Sequence, residues 1–415
     1  MTSTQTFPMT AGDINIFHAR LIADQQITFV LAFSERLDRD RLAAAFAVLH
    51  QALPVLSSTV EVKGARFRRI AIPGYRPAVS TLNEPTDRMR EIACFTGSPC
   101  DPECDPPARL LLLRGRDGDT LCFKIDHVVS DAAGLRYLLP LLAEAYTTGR
   151  ITQPINRDRG FGQVIRRFSP LSIVRAASKA NLPVPGAALI QGSLEAPQTF
   201  IEHVSIEADR FERMHREAKL AEATINDVLL AGLYQAAFER LPAGDTSAYP
   251  VMVPVDMRRY LPEGQRGVLA NLSSAVYPSL APIADETPGD TLNRVKACMG
   301  ALKQDQPGLG AMLLMSVGAL RGGKMIRDRY RRAAGRGSRF INFTNFGILE
   351  EGPLAFGRLS PQRAYGVGPI QYAPGVLIAI TTYRGALHLV VQGRGNERFR
   401  GFVREFLEAL LHRLP

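Results

Sequence analysis

The sequence contains no tryptophan, and none of its apolar runs approaches the roughly 20 residues that a helix needs to cross a bilayer. The first thirteen residues also lack a basic region followed by an apolar core, so no signal peptide is predicted. These absences predict a cytoplasmic protein. At 415 residues, 46% of them hydrophobic and 22% charged, the chain has the balance of a globular protein and enough length for two domains, each with its own core.

Cysteine is scarce as well, with five residues in the chain. Three of them, Cys94, Cys100 and Cys104, lie close together, but their spacing matches no zinc-binding pattern and no histidine falls within the run. No metal site is therefore predicted. Reduced thiols are the expectation for a cytosolic chain.

Positive charge is abundant, with a net charge of +10 and a pI of about 9.6. Much of it falls in one short segment, the arginine cluster, in which only Asp328 opposes eight cations: Arg321, Lys324, Arg327, Arg329, Arg331, Arg332, Arg336 and Arg339. Such a cluster is compatible with a phosphate, an acidic carrier protein, an anionic membrane or simply a solvated face. No zinc-finger, RNP-type or basic-zipper pattern is present, so no nucleic-acid partner is predicted.

The most informative stretch runs from residue 121 to 134 and reads L-C-F-K-I-D-H-V-V-S-D-A-A-G. It predicts a strand, a polar turn that places His127 four residues before Asp131, and a following helix. Histidine is the side chain best suited to accept a proton near neutral pH, and Gly134 lets the backbone turn or approach a neighbour closely. The ordinary alternative is a loop histidine followed by Asp131 as the N-cap of the helix, and spacing alone leaves both open.

Hydrophobic periodicity along the rest of the chain predicts mixed strands and helices in two halves, residues 1–150 and 197–415. Between them, residues 151–196 are rich in glycine, proline and basic residues. They are interpreted as a linker with one short amphipathic helix that packs on the parent domain or touches a membrane. The predicted strands and helices include a strand at 268–276 and a single long helix at 309–334.

The stretch around His127 resembles the His-x-x-x-Asp signature of the condensation-domain and acyl-CoA-dependent acyltransferase superfamily. Other segments similar to that superfamily follow in the expected order: T-I-N-D-V from 224, V-D-M-R from 255, N-L-S-S from 271 and N-F-G from 345. Two positions depart from it, because Asp126 stands where many relatives carry histidine and Ala132 where many carry glycine. The absence of tryptophan also excludes the tryptophan-containing motif of the plant branch.

The resemblance implies an α/β (α+β) fold of two chloramphenicol-acetyltransferase-like halves packed around a central active-site tunnel. It implies transfer of an acyl group from acyl-CoA or an acyl carrier protein to a small-molecule hydroxyl acceptor, with an amine less favoured. The donor would be a co-substrate carrying phosphopantetheine, with no tightly bound cofactor, and the protein would be a monomer. Two alternatives stay open: a catalytically inactive protein that binds an acyl carrier protein or lipid, and a peripheral membrane enzyme with a lipid acceptor.

The same resemblance assigns roles to individual side chains. His127 would be the general base, and Asp131 would orient its loop. Arg258 would pair with Asp131 through a bidentate contact, or else be an exposed arginine near a turn. A further set would bind substrate or support the site: Ser273 or Ser274 as a donor to a developing oxyanion, Asn342 and Asn345 on the tunnel floor, and Gly134 in the loop.

Overall fold

The computed structural model describes residues 5–180, 189–241, 244–304, 306–336 and 341–415. Its strands are β1 Thr6–Pro8, β2 Ala23–Asp24, β3 Gln26–Ala32, β4 Ser58–Lys63, β5 Arg66–Ala71, β6 Val79–Asn83, β7 Ala108–Gly115, β8 Gly118–Asp126, β9 Thr199–Ile206, β10 Tyr249–Asp256, β11 Ser273–Val276, β12 Ser279–Leu280, β13 Ile341–Leu349, β14 Arg363–Val367, β15 Ile370–Gln371, β16 Val376–Tyr383 and β17 Ala386–Arg394. Its α-helices are α1 Ala11–Ala19, α2 Arg39–Ala52, α3 Arg88–Gly97, α4 Ala132–Thr148, α5 Gly162–Ile165, α6 Pro170–Ser178, α7 Ala208–Leu220, α8 Ile225–Phe238, α9 Pro288–Lys303, α10 Leu309–Leu320, α11 Lys324–Arg336 and α12 Glu397–His412.

The first half of the chain is built on a five-stranded sheet with the order β14-β3-β8-β7-β6. Helices α2 and α4 cover one face, where Phe46 and Leu138 pack against Phe29 and Phe123 in a single buried cluster. Strand β8 lies inside this sheet, and all nine of its residues are buried. Because β8 pairs with β3 and β7 and is buried on both faces, the loop that follows it starts from a rigid support.

The second half is built on a sheet with the order β11-β10-β13-β16-β17-β9, with β12 beside β10. Helices α7, α8 and α12 pack on it, and their apolar residues share one buried cluster with the inward residues of β10, β13, β16 and β17. Helix α8 begins at a capping box in which the Thr224 hydroxyl accepts from the Asp227 amide. The T-I-N-D-V segment is therefore a helix start.

Strand β14 crosses between the halves. It comes from residues 197–415, yet it pairs antiparallel with β3 of the first half, from Arg363 opposite Ala32 to Val367 opposite Thr28. Strand β15 likewise pairs with β2. The two halves are therefore joined through their sheets, because the second half of the chain supplies the edge strand of the first sheet.

Two predicted elements differ from the structure. The predicted strand at 268–276 is a strand only over Ser273–Val276, because the carbonyls of residues 268–270 accept hydrogen bonds from arginine side chains instead of a neighbouring strand.

The predicted helix at 309–334 is broken into α10 and α11. Gly322 and Gly323 adopt φ of +71° and +68°, which lie in the left-handed region that ends helices. The two helix axes are bent by 111°.

The segment predicted as a linker packs back on the molecule through α5 and α6. Phe161 and Val164 share a buried cluster with Met257, Leu261 and Val268 of the second half. Within the described ranges, no single helix has both the length and the apolar character needed to cross a bilayer, although α10 and the first part of α11 meet both criteria when taken as one bent pair.

Candidate active site

The loop between β8 and α4 carries His127 and Asp131. The His127 amide donates to the Gln25 carbonyl at 2.9 Å, and the Asp126 carboxylate accepts from the Val128 amide at 2.6 Å. At the other end, Asp131 is the N-cap of α4 and accepts from the Gly134 amide at 3.0 Å. Both ends of the turn are thus fixed by hydrogen bonds, with His127 between them.

Gly134 is required by close packing within this turn. A Cβ atom at this position would lie 1.9 Å from the Ser130 hydroxyl oxygen and 3.4 Å from the Ala270 amide nitrogen. The Ser130 hydroxyl is itself held by the Ala270 carbonyl, at 3.1 Å. A side chain at residue 134 would therefore displace the Ser130 hydroxyl, which joins the His127 loop to the segment around residue 270 from the second half of the chain.

Asp131 joins the loop to the second half. Its Oδ2 atom accepts from Arg258 Nη1 at 3.0 Å, from the Leu272 amide at 2.8 Å and from the Ser273 hydroxyl at 3.0 Å. The side chains of Asp131 and Arg258 are almost fully buried. Four donors, counting the Gly134 amide, thus satisfy a carboxylate that has no access to water.

Arg258 makes the predicted contact with Asp131, but not in the predicted geometry. One nitrogen, Nη1, reaches Asp131 and also Asp256 at 3.1 Å, whereas Nη2 donates to the carbonyls of Val268 at 3.1 Å and Ala270 at 2.8 Å. The contact is therefore not bidentate. Because Nη2 is engaged by the backbone carbonyls of the 268–270 segment, it is not available to Asp131. The Arg258 side chain therefore fixes both the His127 loop and the segment beside it.

The electrostatics of this pair keep both groups charged. Burial alone would raise the pKa of Asp131, but the adjacent Arg258 charge and its hydrogen bond lower that pKa below its ordinary value. Burial likewise opposes the charge on Arg258, and Asp131 together with Asp256 raises the pKa of Arg258 above its ordinary value. The buried salt bridge stays ionised at neutral pH.

The proton position on the His127 ring follows from Asn271. The Asn271 Nδ2 atom donates to the Asp13 carboxylate at 2.9 Å and to the His127 carbonyl at 2.9 Å, two groups that only accept. The amide oxygen Oδ1 therefore faces His127 Nδ1, at 3.1 Å, and it can only accept. The hydrogen-bond network thus assigns the proton to Nδ1 and leaves the lone pair of Nε2 as the proton acceptor.

Asn271 is held by a second layer of charged groups. Asp13 is fully buried in the first turn of α1, and its carboxylate pairs with Arg159 at 3.1 Å. Arg159, from the segment between the halves, also donates to the carbonyls of Val129 at 2.7 Å and Leu269 at 3.0 Å. The start of the chain, the His127 loop and the second half therefore meet around Asn271.

The pKa of His127 is lowered from its ordinary value. Burial is the main cause, and the Asp131 charge and the hydrogen bond to Asn271 oppose it only in part. No described hydrogen bond joins the Asp131 carboxylate to the His127 ring. A neutral imidazole with an unprotonated Nε2 is therefore the predominant form at pH 7, which is the state that a general base requires.

Asp126, the residue directly before His127, is a buried carboxylate. Burial raises its pKa to about 6, opposed by the hydrogen bond from the Val128 amide and by the charge of Arg69. Arg69 is fully buried as well, and burial lowers its pKa to about 10. Asp126 thus shapes the turn through the Val128 amide, and the structure does not place it in contact with the His127 ring.

The two serines predicted as oxyanion donors are both engaged. Ser273 donates to Asp131 at 3.0 Å, and Ser274 donates to the Gly308 carbonyl at 2.7 Å, at the start of α10. Ser273 supports the Asp131 site, and Ser274 ties the neighbouring strand to α10. In this geometry both hydroxyl protons are engaged by protein acceptors, and the predicted oxyanion role stays a prediction.

Asn342 and Asn345 lie in β13, away from the hydrogen bonds of the His127 loop. Asn342 is buried in the middle of the sheet. Asn345 donates to the Asn226 side chain at 2.9 Å and accepts from the Gly347 amide, so it ties β13 to the start of α8. Arg136 of α4 donates to the Phe346 carbonyl at 3.2 Å and joins the same strand to the helix after the His127 loop. The predicted place of both asparagines on a tunnel floor stays a prediction.

Comparison with known proteins gives a consistent fold but no sequence family. No family model matches the chain, and no curated protein matches it in sequence. Among solved structures, the first condensation domain of the CDA synthetase is similar over 99% of this chain and 97% of that one, at a TM-score of 0.70 and 16% identity. Polyketide synthase associated protein 5 from Mycobacterium tuberculosis is similar over 97% of this chain and 96% of that one, at a TM-score of 0.66 and 16% identity.

The epimerization domain from the third module of tyrocidine synthetase B is also similar, over 99% and 96% of the two chains, at a TM-score of 0.66 and 16% identity. The expected two-lobed α/β architecture is therefore confirmed, and the chain has the fold of condensation domains. Condensation and epimerization domains share this fold, so the chemistry has to be argued from the side chains.

Sequence reasoning missed Asn271, Asp13 and Arg159. Asn271 stands in the N-L-S-S segment that was considered for its serines, and it lies 144 positions from the histidine it contacts. Asp13 had the signature of a capping-box residue, three positions after Thr10, and nothing local in the sequence indicates its second role. The only indication in the sequence was the position of Asn271, a polar residue at the start of the N-L-S-S segment.

Proposed function

We propose that this protein transfers an acyl group from a thioester to a hydroxyl acceptor, less favourably to an amine, with His127 as the general base. The observation that supports this most is the hydrogen bond from His127 Nδ1 to Asn271. It fixes the tautomer that presents a free Nε2 lone pair, as a histidine base requires.

In the proposed reaction, the acceptor hydroxyl attacks the thioester carbonyl carbon while its proton passes to His127 Nε2. The resulting tetrahedral intermediate collapses when the carbon–sulfur bond breaks, and the imidazolium returns the proton to the departing thiolate. The products are an ester and a free thiol. No acyl-enzyme forms, because both substrates meet at one base.

Asp131 has a positioning role in this proposal. Its described donors are the Gly134 and Leu272 amides, the Ser273 hydroxyl and Arg258. With these partners it anchors the loop but does not relay a proton from the ring. Its negative charge also favours the imidazolium that forms during the reaction, since it offsets part of the lowering of the His127 pKa by burial.

The donor class in this proposal is a thioester on coenzyme A or on an acyl carrier protein. The fold is shared with condensation domains, one of which is described in complex with a substrate analogue. A tunnel between the halves, with His127 midway, would let the two substrates enter from opposite sides; domain interfaces are the usual place for such pockets.

The test is thiol release from a panel of acyl-CoA and acyl-loaded carrier-protein donors, with and without simple alcohols and amines. His127→Ala is compared with His215→Ala, a matched control because His215 is an exposed histidine on α7. The proposal expects acceptor-dependent release that His127→Ala abolishes and His215→Ala leaves unchanged. Release that survives in His127→Ala would contradict it, and silence with both donor classes would favour the non-catalytic alternative.

A further inference from the structure

Helix α10 presents an unusual outer surface. None of its twelve residues, L-G-A-M-L-L-M-S-V-G-A-L, is charged. Leu314, Val317 and Leu320 are exposed, and Leu320 is 88% exposed. Positions 314 and 317 share a helix face with Gly310, so these side chains form a row on one side of the helix. An exposed apolar row of this kind is costly in water and commonly marks an interaction surface.

Helix α6 widens this apolar surface. It packs directly on α10, where a Cβ on Gly310 would come within 2.1 Å of the Ala176 carbonyl oxygen. On the outward face of α6, Leu171 and Val174 are exposed at 78% and 66%. Two adjacent helices therefore each direct large apolar side chains away from the protein.

Cations border the apolar row where α10 ends. Leu320 is followed by Arg321 and, after the Gly322–Gly323 turn, by α11, which carries most of the arginine cluster. Among the described residues, Lys324 and Arg331 are exposed and have no acidic partner, and Asp328 is the only acid within the helix. The surface thus combines apolar side chains with unpaired positive charge.

A cavity of about 400 Å³ opens at the same turn, between α1, the β4–β5 hairpin and the start of α11. Its charged lining is Arg20, Lys324, Arg327 and Arg331 against one acid, Glu103. His18 lies in its wall, is 8% exposed and has a buried Nε2 atom with no hydrogen-bond partner in the described part of the chain. Arg20 pairs with Asp101 and Glu103, and Arg327 pairs with Asp328. The two remaining cations of the lining, Lys324 and Arg331, together with the unpartnered ring nitrogen fit a phosphate group.

We propose that α6, the outer row of α10 and this cavity form a docking face for an anionic phospholipid bilayer, with a headgroup phosphate in the cavity. The combination selects this partner: apolar side chains enter the headgroup–acyl boundary while lysine and arginine attract anionic lipids. A purely electrostatic ligand would not need the exposed leucines. The net charge of +10 attracts the chain to the same surface.

The docking face also connects to the candidate active site. Helix α10 starts at Leu309, directly after Gly308, whose carbonyl accepts from Ser274 beside the Asp131 network. The same helix ends at the cavity. A protein held on a bilayer by α10 would therefore present the proposed active site close to the lipid surface. This inference goes beyond the proposed acyl transfer and is tested without any activity measurement.

The experiment is co-sedimentation with vesicles of phosphatidylglycerol and phosphatidylcholine, compared with pure phosphatidylcholine. We expect binding to the anionic vesicles that falls as salt rises, and little binding to the neutral ones. Lys324→Gln and Arg331→Gln should each lower the partition coefficient about fivefold. The charge-matched controls, Arg213→Gln and Arg216→Gln on α7, should leave it unchanged.

The apolar contribution has its own matched pair. Leu320 ends α10 and is 88% exposed, and Leu220 ends α7 and is 86% exposed. Leu320→Ser should lower vesicle binding about tenfold, whereas Leu220→Ser should not change it. Equal effects of the two substitutions, or no vesicle binding at all, would overturn the proposal. So would binding of soluble inorganic phosphate or coenzyme A by a protein that ignores vesicles, since the cavity would then serve a soluble ligand.

Discussion

The buried pair of Arg258 and Asp131 gives the sharpest test of how the candidate site is held together. Replacing Arg258 by methionine keeps most of the side-chain volume and removes all of the described hydrogen bonds of the guanidinium, to Asp131, Asp256 and two carbonyls. Asp131 is then a buried carboxylate without a counter-charge. Breaking a buried ion pair in this way typically costs about 3–5 kcal/mol. Because three other donors to Asp131 remain, we expect about 3 kcal/mol, at the lower end of that range.

The pH dependence of this loss identifies its cause. In the wild type the pKa of Asp131 is below its ordinary value, so the charged carboxylate contributes stability above the unfolded-state pKa of about 3.9 and loses it as the pH falls further. Without Arg258, burial raises that pKa instead, and the carboxylate becomes costly at neutral pH and less so once protonated. The destabilisation of Arg258→Met should therefore be largest near pH 7 and shrink towards pH 4.

Urea unfolding followed by circular dichroism at several pH values measures this difference. The control is Arg216→Met, which removes an exposed pair with Glu212 at 3.3 Å and should change the free energy of unfolding by less than about 0.5 kcal/mol. A structural role for the buried ion pair is excluded if Arg258→Met lowers the free energy of unfolding no more than Arg216→Met does, or if its destabilisation is the same at pH 4 and pH 7.

Three further predictions concern the loop and its histidine. His127→Ala should lower the rate of acceptor-dependent thiol release by about 10²–10⁴-fold, the usual contribution of a general base. In the wild type, the same rate should fall at acid pH with a midpoint below the ordinary histidine pKa of about 6.5, because burial lowers the pKa of His127. Asn271→Ala should lower kcat at least roughly tenfold with little change in KM, because the ring loses the partner that fixes its tautomer; unchanged kcat would show that Asn271 is only structural. Gly134→Ala should destabilise the fold by about 1–3 kcal/mol, since its Cβ would lie 1.9 Å from the Ser130 hydroxyl, and adding Ser130→Ala should recover part of that loss in thermal unfolding.

The fold was largely predictable because its main elements carry strong local patterns. Strand β3 was predicted at 26–33 and lies at Gln26–Ala32, and the hairpin around Lys63–Gly64 and the terminal hairpin around Arg384–Gly385 both form as expected. Apolar periodicity and turn residues determine such elements within a few neighbouring positions. The crossing of β14 into the first sheet depends on pairing between residues more than 300 positions apart, which periodicity does not report.

The two wrong elements have identifiable causes. The helix over 309–334 was predicted as one element trailing into the arginine cluster, but the consecutive glycines Gly322 and Gly323 adopt left-handed backbone angles that turn the chain. The strand over 268–276 has an extended, apolar sequence, yet its first residues direct their carbonyls to Arg258 and Arg159. In both cases a tertiary or backbone constraint overrode the hydrophobic pattern.

The candidate site was predictable only in part. His127, Asp131 and the partner Arg258 follow from the resemblances of the 121–134 stretch and the V-D-M-R segment, and in the structure Asp131 contacts both Arg258 and Ser273. The geometry of Arg258 and the roles of Asn271, Asp13 and Arg159 were not predictable. Each depends on hydrogen bonds between polar atoms that are far apart in the sequence. The residues around each of these positions do not indicate which distant polar group it contacts.

The most direct test of the account is the protonation state of the His127 ring, because it needs no knowledge of the substrate. Histidine-selective ¹⁵N NMR, with His127→Gln to assign the signals, reports which ring nitrogen carries the proton and the pH at which the second one binds. We expect a proton on Nδ1, an unprotonated Nε2 at pH 7 and a titration midpoint below about 6.5. A proton on Nε2 of the neutral ring, or a midpoint above that value, would contradict this expectation.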